Sequence, residues 1–475
     1  MSGQFSVRNP RTGETDYAFP ITTPAEISSM ASDLRSAAVA WGAQTPDARV
    51  STLVQWCDAL KTARDDLVQA LIHDTGRKCE SLMEFDAALA GLSRWIDRSP
   101  ALLAEPPTRD SVVKPMTMTP TSVPLGLVAV ISPWNFPLLL ALIDAVPALA
   151  AGCSVMVKPS EFTPRFVEPL QRTISSVPAL AKVLRFVAGD AKTGAAMIDA
   201  ADAVCFTGSV ATGRVIARHC SERLIPAFLE LGGKDAAIVL DGADIPRAAR
   251  AIAWGGLANA GQSCLSIERV IVEQRVYAEF VAALVAEVNA RRLAWPSVDD
   301  GEIGPIIAAR QAELIRDQLA EAIQRGAKAL VGGQVESHGG GMWCQPTVLV
   351  DVTPDMRIMS EETFGPVLPV MSCRDAEHAL TLANGTEFGL SGAVFGPRER
   401  ALAVALRMEC GAVSINDAAL TAIVHDGEKQ AFKLSGLGAS RMGDSSIARF
   451  RRRRVLIENA ALTHDPWWFP IRPTN

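Results

Sequence analysis

GLVAVI (126–131), SVMVKP (154–159), VLRFVAG (183–189), AVCFTG (203–208) and IPAFLEL (225–231) are five short β-rich runs separated by helical sequence. Strand, helix, strand at this spacing calls for a parallel sheet covered on both faces, because each crossover lays a helix across the sheet. A second alternating block follows in AAIVL (236–240), ERVIVE (268–273), GAVFG (392–396) and GAVSIN (411–416), with helical patterns such as 276–292 and 306–325 between. The expected fold is therefore α/β, with two doubly wound parallel-sheet domains. Thr163 as N-cap and Pro164 at the first helical position predict a helix start after the second strand. Upstream, residues 24–105 carry amphipathic helical spacing, as in Leu53, Trp56, Cys57, Leu60, Leu67 and Leu71. VKPMTMTPTSV (113–123) fits neither rhythm and alternates like an edge ribbon, which needs a partner edge. With none apparent in its own domain, the expected partner is another subunit.

Composition excludes several classes. The chain has 475 residues, 48% hydrophobic and 21% charged, which is ordinary globular content. Its 46 basic and 52 acidic residues leave a net charge of −6, which repels a phosphate backbone and argues against nucleic acid as a partner. Nine cysteines without a C-x-x-C pair read as reduced thiols of a cytoplasmic protein, and the N-terminus shows no secretion signal. The charge-free stretch from Pro115 to Ile143 is interrupted by five prolines and reads as buried strand and turn, not as a membrane span.

Among the thiols, Cys57, Cys153 and Cys205 sit in apolar helical or strand runs as core filler. Cys264 differs: it lies in NAGQSCLS (259–266), where a helical pattern gives way to a strand, among small residues that let a substrate approach. FTGSVATGR (206–214) is not a Walker motif, since Arg214 and Val215 replace Lys and Ser or Thr. It does offer a strand, a Gly turn and a helix starting near Ser209, whose free N–H groups suit a diphosphate. Glu230, Glu161 and Glu362 each stand beside Gly or Pro where a strand meets a loop, the place α/β sheets hold ligands.

PLGLVAVISPWNFPL (124–138), VMVKPSEFTP (155–164), FTGSVATG (206–213), LELGGKDAAIVL (229–240), GQSC (261–264), EETFGPV (361–367) and SGLG (435–438), in this order, resemble the NAD(P)-dependent aldehyde dehydrogenase superfamily over nearly the whole chain. The resemblance implies an NAD-binding domain (1–109 and 124–231), a catalytic domain (232–419), and an oligomerisation ribbon with C-terminal tail (110–123 and 420–475). It implies oxidation of an aldehyde to its acid: Cys264 adds as thiolate, Asn135 and the Cys264 backbone N–H receive the oxyanion, and Glu230 activates the water that hydrolyses the thioester. It places Lys158 and Glu161 at the adenosine ribose, Phe206, Gly208 and Ser209 around the diphosphate, Glu362 and Phe364 at the nicotinamide ribose, and Ile131, Pro133 and Trp134 along the same cleft. A carboxylate at 161 repels a 2′-phosphate, so NAD is expected over NADP, an inference that nearby Arg165 weakens. A homodimer or homotetramer is expected.

Two departures stand out. Ser440 and Arg441 occupy the segment where many members carry a second Glu, and EKQAFK (428–433) replaces their PFGG sequence, so the substrate tunnel mouth is rebuilt. Retained Glu230 favours hydrolysis over acyl transfer to coenzyme A, and a cysteine hydrolase lacks a distinctive His. In the C-terminal run ARFRRRRVLIENAALTHDPWWFPIRPTN, Arg451–Arg454 read as a basic solvated turn, with partner carboxylates or an anionic surface as alternatives. Trp467, Trp468 and Phe469 are expected to dock over the tunnel mouth, in their own subunit or a neighbour's, favouring apolar aliphatic or aromatic aldehydes; contact with a membrane surface is the less favoured alternative.

Overall fold

The strand Leu127–Ile131 is the hub of the first sheet, parallel to Ser154–Lys158 on one side and Ala203–Thr207 on the other. The computed structural model describes residues 3–459, 461, 465 and 467–470. In it Leu184–Phe186 extends this sheet beyond Ser154–Lys158, and Ala227–Glu230 extends it beyond Ala203–Thr207, all in parallel. Alternate residues of the central strands serve different cores. Val128, Val130, Val155, Val157 and Cys205 pack with the helices Pro46–Thr62, Cys79–Leu102 and Pro137–Ala150. Leu127, Ala129, Met156, Val204 and Phe206 pack with Pro24–Gly42, Ala191–Ala200 and Val210–Glu222. Burial of both faces is why these strands read as unbroken apolar runs.

The second sheet runs Lys328–Val331, Thr347–Val350, Val367–Cys373, Ile267–Glu273, Asp235–Val239, Ser391–Phe395, Ala412–Ile415, parallel except for the antiparallel edge strand Lys328–Val331. The expected α/β architecture with two doubly wound sheets is what forms. In the segment after 420, Phe432–Lys433 forms a separate two-stranded ribbon with Phe388–Gly389, and Gly436–Leu437 joins the first sheet antiparallel beside Ala227–Glu230.

Several sequence expectations are corrected. The ribbon strand is Met116–Pro124, and its partner is in the same chain: Arg451–Asn459 pairs with it antiparallel over its full length, from Arg451↔Pro124 to Asn459↔Met116. The Arg451–Arg454 run is thus strand, not solvated turn, and Arg451 donates to the Ser122 and Ala151 carbonyls. Four consecutive charges hid the alternation. The helix assigned to Thr163 and Pro164 begins later, at Val167–Ser175: the Arg165 N–H that a Thr163 cap would accept from donates instead to Asp74 Oδ2 at 2.7 Å, while the Thr163 hydroxyl donates to the Trp134 carbonyl at 3.2 Å. The charge-free stretch read as strand and turn also contains the start of the helix Pro137–Ala150. At the C-terminus, Trp467 and Trp468 are half-exposed and Phe469 fully so, and among the described residues of the tail these three line neither of the cavities described below in their own subunit. Residues 471–475 of that tail lie outside the described residues.

Candidate active site

Ile131, Lys158 and Thr207 end three neighbouring parallel strands, and the loops beyond them open into a cavity of 510 Å³. It gathers every residue assigned a catalytic or cofactor role in the sequence except Glu230: Ile131, Pro133, Trp134, Asn135, Lys158, Glu161, Phe206, Gly208, Ser209, Cys264, Glu362 and Phe364. Ser209 caps the helix Val210–Glu222, its hydroxyl accepting from Thr212 N–H at 3.3 Å. The remaining unpaired N–H groups of that first turn provide positive potential at the cavity wall. Lys158 Nζ stands 3.6 Å from Glu161 Oε2, and burial lowers the affinity of this ammonium for its proton while Glu161 opposes that shift. Arg165 does not line the cavity; it is held by Asp74, with Nε–Oδ1 at 2.6 Å, and by Asp16.

The thiol is presented by a contorted turn. Asn259, Ala260 and Gly261 have φ of 56°, 52° and 68°, in the left-handed region. A side chain at Gly261 would meet the Gly365 carbonyl at 2.1 Å, so only glycine fits there. Side-chain amides hold the turn: Asn259 Nδ2 donates to the Asn135 carbonyl (3.1 Å) and the Gln262 carbonyl (2.9 Å), and Gln262 Nε2 donates to Pro305 O (3.1 Å). Asn135 is fixed to the same turn, Nδ2 donating to Gln262 O at 3.0 Å, while its own carbonyl accepts from Arg77 at 2.8 Å. Cys264 is half-buried on the cavity wall. Burial pushes its thiol up to about 12; Lys429 opposes this, and Glu362, Glu230 and Asp235 add to it.

Glu362 is held by the Gly233 N–H at 3.0 Å, and Gly232 makes room for it, since a Cβ there would sit 2.6 Å from its carboxylate. Burial, reinforced by the charge of Glu268, pushes the Glu362 carboxyl up to about 8. Phe364 meets Trp134 edge-on at 5.2 Å between ring centres. The loop bearing both is clamped by Glu268, which accepts from Thr363 and Phe364 N–H at 2.7 Å each and pairs with buried Lys234 at 2.7 Å. Lys234, Glu268, Arg77 and Gln262 were not singled out in the sequence. Their signal was present: a charge at the mouth of an apolar strand, as in GGKDAAIVL and IERVIVE, must be paired if buried. Glu230, at the end of Ala227–Glu230, is outside the cavity lining, its carboxylate turned to within 3.7 Å of Lys429 Nζ.

Behind the thiol segment lies a second cavity of 560 Å³. Phe136, Ser263 and Leu265, the immediate neighbours of Asn135 and Cys264, line this one, together with Met83, Ala87, Leu139 and Ile423. Cys264 therefore stands on a partition between two chambers. Among the described residues, no cluster of three or more His, Cys, Asp or Glu could hold a metal, and no helix is long and apolar enough to cross a membrane.

Two sheets of doubly wound type, with a thiol on the partition between a strand-end cavity and a second, largely apolar one, are the framework of an α/β enzyme with its site at the strand ends. The chain belongs to the aldehyde dehydrogenase family, whose model matches residues 1–455. A solved structure from Anabaena variabilis, bearing the name aldehyde dehydrogenase PutA, superimposes with a TM-score of 0.97 at 48% identity, covering 98% of this chain and 100% of that one. The 4,4'-diapolycopene aldehyde oxidase of a Methylomonas species is 33% identical over 97% of this chain and 87% of its own. The succinate-semialdehyde dehydrogenase [NADP(+)] of Deinococcus radiodurans is 34% identical over 87% of this chain and 86% of its own. The protein is an aldehyde-oxidising enzyme of a family that uses NAD(P).

Proposed function

We propose that this enzyme oxidises apolar aliphatic or aromatic aldehydes to carboxylic acids with NAD, through a thioester on Cys264; the observation carrying this reading is the Cys264 thiol on the wall between the two cavities. The strand-end cavity fits a dinucleotide: Lys158 and Glu161 would hold the adenosine ribose, the Ser209 helix end and Gly208 the diphosphate, and Glu362 with Phe364 the nicotinamide ribose. Bound there, the nicotinamide would accept the hydride, chemistry that no side chain supplies. Once the thiol proton has left to water, Cys264 Sγ adds to the carbonyl carbon, and the oxygen, taking up the carbonyl electron pair, is met by the Cys264 N–H and by the second N–H of the Asn135 amide, whose first is committed to Gln262. Loss of hydride leaves the thioester. Glu230 then turns from Lys429 towards the partition and takes a proton from the attacking water, whose hydroxide displaces the Cys264 thiolate and forms the acid; Glu230 afterwards gives its proton up to solvent. Retention of Glu230 supports hydrolysis over transfer to coenzyme A.

The apolar substrate is read from Phe136, Leu139, Leu265, Met83 and Ile423 in the second cavity. Its two cations, Arg250 and Arg291, share the lining with four carboxylates, Glu80, Glu84, Glu287 and Glu302, and Arg291 pairs with Glu302 at 3.5 Å. Exposed Val455, Leu456 and Ile457 on the strand Arg451–Asn459 support a homodimer or homotetramer built on this sheet. Nine free thiols support a reducing, cytoplasmic setting.

The test is reduced-nicotinamide absorbance across aliphatic, aromatic and carboxylate-bearing aldehydes with each cofactor. Long-chain and aromatic aldehydes are expected to give the highest kcat/KM; a preference for carboxylate-bearing aldehydes would overturn the substrate class. NAD is expected to be preferred, because Arg165 is engaged by Asp74 and Asp16 and leaves Glu161 facing the ribose site unopposed by it. Glu161→Ala should move the NAD/NADP ratio towards NADP by roughly tenfold. A wild-type enzyme already favouring NADP would remove Glu161 from that role. For the base, Glu230→Gln should give one burst of NADH per site and then stall, steady turnover falling by roughly 10²–10⁴-fold. Unchanged steady turnover would assign hydrolysis to another group.

A further inference from the structure

The two departures from the family pattern, the EKQAFK segment and Ser440, touch each other. The Lys429 N–H donates to Ser440 Oγ at 3.1 Å, and Ser440 is pinned in turn by Met442, accepting from its N–H at 3.1 Å and donating to its carbonyl at 2.8 Å. This knot carries a lysine into the interior: its side chain is 5% exposed and its Nζ lies 3.7 Å from Glu230 Oε2. Lysines are almost never fully buried unless a partner compensates the lost hydration. At 3.7 Å the contact with Glu230 is longer than a charge-assisted hydrogen bond, so Glu230 does not exhaust the lysine's positive charge. Lys429 lines neither cavity, so it acts on the site from behind.

The groups facing the thiol come from several elements. Glu230 ends one strand, Asp235 opens the next and Glu362 lies on the clamped loop; all three repel a thiolate, and Lys429 is set against them. Asp235, Cys410 and His425 are the further titratable groups within reach of Lys429. Arg441 also feels the charge of Glu230 but is bound to buried Asp144.

We propose that Lys429 is a positioning residue of the thiol site, its buried ammonium stabilising the Cys264 thiolate once the thiol proton has left to water, and drawing the Glu230 carboxylate back from the thiol until hydrolysis needs it. The inference rests on Cys264 being the nucleophile. No ligand contact is required, so the effect is present in the cofactor-free enzyme.

The test is the pH profile of Cys264 alkylation by iodoacetamide in the full chain without cofactor, with peptide mass mapping to identify the modified thiol. Lys429→Met removes the charge at similar length and should move the midpoint up by about one pH unit or more, slowing alkylation roughly tenfold at a pH below both midpoints. Lys429→Arg keeps the charge and should stay near wild type, which a purely structural role for the side chain would not predict. An unchanged midpoint in Lys429→Met, or a Lys429→Arg midpoint displaced as far as that of Lys429→Met, overturns the proposal. Should Lys429→Met fail to fold, Lys429→Gln is read by the same criteria. Modification mapping to another thiol, with Cys264→Ala inactivated at the wild-type rate, would instead overturn the reading of Cys264 beneath the proposal.

Discussion

Cys264→Ala is expected to lower NADH formation by roughly 10⁴-fold or more while leaving NAD affinity within about a factor of three, because the nucleophile is lost and the cofactor walls are not. The structure separates these functions. The turn presenting Cys264 is held by Asn259, Gln262 and Asn135, none of which bonds through the Cys264 side chain. Lys158, Glu161 and Ser209, the residues proposed to face the cofactor, belong to a different sheet and its loops. Alanine keeps the backbone N–H, so the oxyanion donors survive, but without sulfur no thiohemiacetal forms. Stopped-flow absorbance measures the loss, and quenching of tryptophan fluorescence, with Trp134 in the cavity wall, measures cofactor binding. Activity within tenfold of wild type would remove Cys264 from the chemistry; lost NAD binding would show that the thiol turn shapes the cofactor cavity.

The sheets were legible because their strands are buried on both faces and so present uninterrupted apolar runs with helices between. The site motifs were legible for a related reason: strand ends followed by Gly or Pro are where the backbone turns out towards a ligand. Charge was the common cause of what sequence reading missed. Arg451–Arg454 looked like a solvated turn because four like charges mask period-two alternation, yet only a register with Met116–Pro124 shows which side chains stack. Lys234, Glu268 and Lys429 were not singled out: a charge beside an apolar strand signals that a partner is needed, but the partners lie 34 and 199 positions away. Thr163 had a good cap signature, but the Arg165 N–H it would have accepted from is taken by the Asp74 carboxylate from a distant helix. Local patterns identify what a residue can do; tertiary contacts decide which competing partner wins.

The same reasoning applies to Asp144, which interrupts the apolar helix PLLLALIDAVPALA (137–150). Its side chain is 2% exposed and bridges two buried guanidinium groups, Arg441 at 2.5 Å and Arg449. Burial alone would favour the neutral acid, but the two arginines outweigh it and hold the Asp144 carboxyl below the usual carboxylate range. Arg449 also lies over the rings of Phe450 and Phe228, 4.6 and 5.2 Å from their centres, and Arg441 donates to Thr207 at the end of the strand beside Glu230. Asp144→Ala or Asp144→Asn would leave two desolvated cations without a counter-charge, a change expected to cost about 3–5 kcal/mol. In calorimetry this should read as a fall in Tm of roughly 5 °C or more at neutral pH. The pH dependence gives the sign independently. A carboxyl whose folded pKa is depressed contributes its stability fully above its unfolded value, near about 3.9, and loses it as pH falls through the lower folded value. The gap in Tm between wild type and Asp144→Asn should therefore be widest above about pH 5 and narrow in acid. A gap of less than about 1 °C at neutral pH would mean that the guanidinium groups find water or other partners, and that the 441–449 segment is held to the first sheet by its apolar contacts alone.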